Sequence, residues 1–252
     1  RDIIVGHESR SCACVVADRL FILTNEGAKN SQIFFADPVN PGMSCWQPFV
    51  GEKADAVIED WGFTSSTLLV EYKFEAASRL ASFDLHDGCE MAVQLPGIGT
   101  ASFSCSISHP DFFVDYTSFN CPNRILHYDN PASAPASWWE RPVAADLSAM
   151  QVSQHWFTSK DGTRVSMFLI KRADVEKTGC NPAVIYGYGG FGLSMTPAYN
   201  GTVIPWIEDG GIYAVINLRG GGEYGDDWHK MGTLGDKEKV FEDLEAAAEV
   251  EE

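Results

Sequence analysis

The sequence has 252 residues, 45% of them apolar and 12% aromatic, enough to bury a core in one large or two modest domains. Eighteen Lys and Arg stand against thirty-five Asp and Glu, and the resulting formal charge of −17 argues against nucleic acid or an anionic membrane as a partner. No run approaches the roughly 18 consecutive apolar residues of a membrane-spanning helix, and the start at Arg1 has neither a methionine nor a leader pattern, so it reads as a cut.

From about residue 12 to 145 the chain is a series of short β-type runs separated by turn residues, with no convincing helix among them. In order, Arg19–Thr24, Gln32–Ala36, Ser66–Tyr72, Arg79–Asp84 and Phe112–Tyr116 are expected strands. Asn25-Glu26-Gly27, Asp37-Pro38, His86-Asp87-Gly88 and Asp129-Asn130-Pro131 are expected turns. A β run ending in Asp and a turn recurs at Asp37, Asp84 and Asp129, and spacings of about 45 residues suit the four-stranded blades of a propeller. An ordinary β-sandwich remains the alternative on spacing alone. Three such units would leave a propeller open.

Past residue 147 the pattern changes. Val152–Thr158 and Arg164–Ile170 flank a hairpin signal at Lys160-Asp161-Gly162. Pro182–Tyr186 and Ile212–Leu218 barely alternate, which predicts strands buried on both faces of a parallel sheet. Residues 237–252 read as a helix capped by Asp236, with Val240, Phe241, Leu244, Ala247 and Ala248 on its apolar face. The division expected is a partial β-propeller over residues 1–146 and the start of an α/β-hydrolase domain over 147–252.

Seven scattered cysteines without a C-x-x-C pair fit neither a disulfide framework nor a zinc site, and point to a reducing, cytoplasmic setting. None of the six histidines lies in a metal motif, and no metal or cofactor is expected.

Two glycine-rich segments carry the chemistry. Gly187-Tyr188-Gly189-Gly190-Phe191-Gly192 formally matches a dinucleotide loop, but Leu193-Ser194-Met195-Thr196-Pro197 follows where a helix should open, and the next strand ends in Asn217-Leu218-Arg219 without the required acid. The other use of such a loop is to bring donors close to a reacting carbonyl, with the Tyr188 hydroxyl facing a developing oxyanion; a packed tyrosine is the competing reading. Arg219-Gly220-Gly221-Gly222-Glu223-Tyr224-Gly225 reads either as an oxyanion loop or, preferred, as a tight close-packed turn with Arg219 and Glu223 paired. No Gly-x-Ser-x-Gly occurs in the chain.

Tyr186-Gly187-Tyr188-Gly189-Gly190-Phe191 with Thr196-Pro197, then Asn217 through Gly225 and Trp228-His229-Lys230, closely resemble the prolyl oligopeptidase family. The resemblance extends back through Ser159-Lys160-Asp161-Gly162-Thr163, Thr117-Ser118-Phe119 and Leu23-Thr24-Asn25, and is weakest between residues 40 and 75. Gly190-Phe191 and His229 differ from what oligopeptidase B typically carries there, and fit the prolyl-specific branch.

The resemblance implies about the last three blades of a seven-bladed propeller, followed by the first strands of a catalytic domain. It also implies that Tyr188 forms half of an oxyanion hole and that Phe191 lines a pocket for proline. By the same resemblance the serine, aspartate and histidine of the triad lie beyond Glu252, so this chain alone is expected to be inactive. The intact relative would be a monomer cleaving short proline-containing peptides. A non-catalytic, propeller-derived binding module is the alternative.

Overall fold

The computed structural model describes residues 3–176 and 178–250, so the first two and last two positions named above lie outside the described residues. Three four-stranded antiparallel meanders follow one another in the chain. The first comprises β1 (Ser11–Val16), β2 (Arg19–Thr24), β3 (Gln32–Ala36) and β4 (Gln47–Val50). The second comprises β5 (Ala56–Phe63), β6 (Thr67–Phe74), β7 (Ala77–Asp84) and β8 (Glu90–Val93). The third comprises β9 (Thr100–Cys105), β10 (Phe112–Ser118), β11 (Cys121–Tyr128) and β12 (Ala136–Glu140).

Strand alternation explains how these sheets stack. In β6, Leu68 and Val70 enter a core with Phe21, Ile33 and Val50 of the first sheet, whereas Leu69 enters a core with Phe112, Val114 and Leu126 of the third. All three β6 residues are fully buried. Successive side chains point to opposite faces, so the middle sheet is apolar on both, and each such side chain stabilises by about 1.5–3 kcal/mol. Sheets stacked face to face in series are propeller blades rather than the two facing layers of a sandwich. The recurring Asp read in the sequence falls at the end of the third strand of each blade. Asp37 and Asp84 accept the N–H groups of Val39 and His86 there, at 2.8 and 2.7 Å, and so turn the chain.

The fourth sheet has the order β13 (Met150–Thr158), β14 (Arg164–Arg172), β16 (Ile212–Ile216), β15 (Ala183–Gly187). The first two contacts are antiparallel and β15 pairs parallel with β16. Helix α1 (Ile204–Glu208) lies in the β15–β16 crossover, α2 (Asp226–Lys230) follows the second glycine loop, and α3 (Glu238–Ala248) ends the described chain. One face packs Phe168, Ile170 and Val215 against α1, the other packs Val165, Met167 and Ile216 against Val240 and Ala247 of α3. This is an α/β layer.

Several sequence expectations need correction here. Strand β16 is buried, but Val184, Ile185 and Tyr186 of β15 are substantially exposed, because β15 is a sheet edge that pairs only with β16 among the described residues. Helices α1 and α2 are too short to show a period. The buried stripe of α3 is Val240, Asp243 and Ala247 with Leu244 half-buried, while Phe241 and Ala248 face solvent, since a 100° step carries them off the stripe. Asp236 does not cap α3; its carboxylate pairs with Lys239 at 2.8 Å, and Lys237 occupies the cap position without a side-chain bond to the helix.

The blades and the α/β layer meet along two rims. At one, the tip of the β6–β7 hairpin inserts Ala76, fully buried, against Phe119, Met150 and Phe168. Neutral hydrogen bonds reinforce this rim: Gln154 Nε2 donates to the Glu75 carbonyl at 2.7 Å, and Thr100 Oγ1 to the Pro197 carbonyl at 2.7 Å. At the other rim, Arg10 pairs with Asp226 at 2.7 Å and Lys29 with Asp227 at 3.1 Å, all in solvent.

Candidate functional site

The two glycine-rich loops leave the carboxyl ends of the neighbouring parallel strands β15 and β16, where open α/β sheets place ligands. They lie backbone against backbone. The Gly192 N–H donates to the Gly220 carbonyl at 3.0 Å, and the ring nitrogen Nδ1 of His229 donates to that same carbonyl at 2.8 Å. A Cβ at Gly220 would stand 2.6 Å from the Gly189 carbonyl oxygen, and one at Gly222 2.4 Å from that of Gly192. The triple glycine therefore provides a close-packed turn. The first loop runs on without regular structure to α1 instead of opening into a helix, so it lacks the geometry of a dinucleotide phosphate site.

Arg219 and Glu223 do not pair, contrary to the sequence reading. Arg219 is fully buried beneath the loop and binds Asp243 of α3, with its Nη1 2.5 Å from Asp161 in the β13–β14 turn. The adjacent guanidinium lowers the Asp161 carboxyl to about 2. Glu223 is buried as well, and its Oε1 accepts the Met195 N–H at 2.7 Å. Burial pushes its carboxyl above the usual range. Asn217 Nδ2 donates to the Met195 carbonyl at 2.7 Å, and Asn217 Oδ1 accepts from Ser166 Oγ at 2.7 Å. Nothing in the sequence pattern marks Asp243, Asn217 or Met195 for these contacts, except that an acid on the inner stripe of a helix requires a cation.

Tyr188 and Phe191 stand on the first loop with ring centroids 6.5 Å apart, and both are exposed, Phe191 at 86%. Phe191 has φ 53°, a left-handed conformation that is strained for a side chain of this size. It borders a cavity of about 590 Å³ between the first two blades and the glycine loops, lined also by Arg10, Lys29, Lys73, Gly222 and His229. Tyr188 does not line this cavity. The structure thus brings Phe191 and the second glycine loop together and leaves Tyr188 beside them.

Residues 3–139 match the model of the prolyl oligopeptidase N-terminal β-propeller domain, and residues 197–250 that of the prolyl oligopeptidase family. The chain belongs to the prolyl oligopeptidase family. It is 32% identical over 250 residues to a prolyl endopeptidase of Elizabethkingia meningoseptica, an alignment covering 98% of this chain and 35% of the relative. It is 29% identical to prolyl oligopeptidase A of Amanita bisporigera, over 91% of this chain and 31% of that protein.

Among solved structures, one from a study of two prolyl endopeptidases superposes with a TM-score of 0.89 at 35% identity, covering 98% of this chain and 37% of the other. Prolyl oligopeptidase B from Galerina marginata, without ligand, gives 0.86 at 25% identity over 98% and 36%. The chain spans about a third of the length of these relatives. Its architecture is propeller blades followed by the first part of the family's α/β domain. No helix among the described residues is long and apolar enough to cross a membrane, and all seven cysteines are free thiols.

Proposed function

We propose that this chain is the part of a serine-type endopeptidase that receives short peptides and cuts on the carboxyl side of proline, with the blades over residues 1–146 restricting access to an α/β domain that begins near residue 147. In this reading Phe191 lines the proline pocket and the Tyr188 hydroxyl donates one of two hydrogen bonds to the oxyanion. A serine activated by histidine attacks the carbonyl, the leaving amine takes the proton, and water releases the acyl-enzyme. Serine, aspartate and histidine come from outside these 252 residues, and the chain alone is inactive. The setting is cytoplasmic and the intact enzyme monomeric.

The observation that carries the reading is Phe191, a strained and solvent-exposed aromatic ring at the edge of the cavity between blades and sheet. Folding gives no reason to expose it there; an apolar substrate residue does. The chain alone is expected to bind an N-blocked Gly-Pro peptide in a ligand-detected NMR titration and to lose that binding on Phe191→Ala, while releasing nothing from an acyl-prolyl anilide. Binding indifferent to Phe191, or turnover by this chain alone, would overturn the reading. If the transcript continues past the codon for Glu252 into a serine, aspartate and histidine, Tyr188→Phe in that longer protein is expected to lower kcat by about 10²-fold.

A further inference from the structure

We infer that Glu223, together with Asn217, is a positioning residue that fixes Phe191 at the cavity by gripping the N–H and the carbonyl of a single residue, Met195, in the loop that carries it. The inference rests on the reading above for its consequence in substrate binding.

The loop from Gly187 to Pro197 has few anchors among the described residues. The Gly189 carbonyl accepts from Lys237 Nζ at 2.5 Å, and Gly192 is tied to Gly220. Pro197 is tied to Thr100. Between them, the anchor is Met195: its N–H is taken by Glu223 Oε1 and its carbonyl by Asn217 Nδ2, each at 2.7 Å. Both partners come from the segment after β16, and Asn217 is itself held by Ser166 in β14, whose Oγ lies 2.5 Å from the Tyr224 hydroxyl. The grip is therefore seated on the sheet.

Phe191 needs such a grip. Its left-handed backbone, at φ 53°, is strained relative to the right-handed region. The ring recovers little of this by burial, being 86% exposed. A strained residue persists only where its surroundings over-determine it. The turn closed by the Leu193 N–H on the Gly190 carbonyl, with the ties at Gly189, Gly192 and Met195, is what this loop offers among the described residues.

Glu223 is placed for this task at a cost. Its second oxygen, Oε2, is buried without a hydrogen-bond partner and lies over Gly221, where a Cβ would come within 2.0 Å of it. Burial favours its neutral form; the Met195 and Glu223 N–H groups, Lys73 on β6 and the Asn217 side chain oppose this. A neutral or ionised carboxyl accepts the Met195 N–H alike, the ionised one more strongly.

The test uses the 252-residue chain, with amide exchange followed residue by residue. Glu223→Ala removes the acceptor, Gly221→Ala displaces it, and Glu223→Gln keeps it. The expected result is faster exchange at Met195 by about tenfold or more in the first two, near wild-type protection in the third, and weakened Gly-Pro peptide binding that the glutamine variant restores. Unchanged Met195 exchange in Glu223→Ala would overturn the inference, as would peptide binding that does not follow Met195 protection across the series. If both alanine variants fail to fold, the wild type decides: the Met195 amide resonance must move with the titration of the Glu223 side-chain carbon, and a flat resonance refutes the grip. Failure of the wild type to bind the peptide at all would sink the peptidase reading instead, leaving the exchange series to judge the grip.

Discussion

Arg219 and Asp243 meet with no exposure on either side chain, the guanidinium Nη2 lying 2.6 Å from Oδ1 and Nε 3.0 Å from Oδ2. The pair joins the end of β16 to α3, and through Asp161, Thr163 and Ser159 it reaches the β13–β14 turn. It is the polar centre on which the second glycine loop rests.

Removing Arg219 strands the Asp243 carboxylate out of water, and removing Asp243 leaves the buried guanidinium with the part-exposed Asp161 alone as counter-charge. Asp243→Ala is expected to destabilise the chain by about 3–5 kcal/mol in a urea titration, and Arg219→Lys to be poorly tolerated because an ammonium cannot reproduce the two-pronged contact. Replacing both with apolar residues, as in Arg219→Met with Asp243→Leu, is expected to cost much less than Asp243→Ala. A loss below about 1 kcal/mol for Asp243→Ala would mean that the pair is solvated after all.

Glu71 sets a pH dependence in the second blade. Burial, aided by Glu59 and Asp60 and opposed by the Ser78 hydroxyl and Lys73, raises its carboxyl to about 7. A folded value above the unfolded one favours the protonated native state, so the contribution is complete below about pH 4.5 and is lost as pH rises through about 7. Glu71→Gln is expected to melt close to the wild type at pH 4.5 and several degrees higher at pH 8. Parallel melting curves at both pH values would contradict this.

Much of the propeller is legible in the sequence because antiparallel blades alternate and end in recognisable turns. Strands β2 and β3 match the expected runs, Arg19–Thr24 and Gln32–Ala36, residue for residue. In the fourth sheet the same apolar richness misleads: Ile185 and Val215 read alike, yet one is exposed on an edge and the other buried at the centre, a difference made by neighbours distant in the chain. The loops show the same limit. Their glycines announce close packing, but which acid meets Arg219 is decided by how a helix 24 residues further along the chain packs on the sheet.

The β1–β2 hairpin turns on Ala17 and Asp18, both with positive φ at 48° and 60° and both exposed. Turns with two left-handed residues favour Asn-Gly. Replacing the pair with Asn-Gly is expected to stabilise the chain by about 1 kcal/mol, read as a rise in denaturation midpoint without a change in slope. No gain would place the strain elsewhere in the hairpin.

The contact between the glycine loops has a practical consequence for remodelling this protein. With a Cβ at Gly220 directed at the Gly189 carbonyl and one at Gly222 at that of Gly192, neither position takes a side chain while the first loop keeps its path. A chimera that imports a new first loop must therefore keep its Gly189 and Gly192 carbonyls where these two glycines receive them, so backbone path rather than side-chain identity limits what can be grafted there.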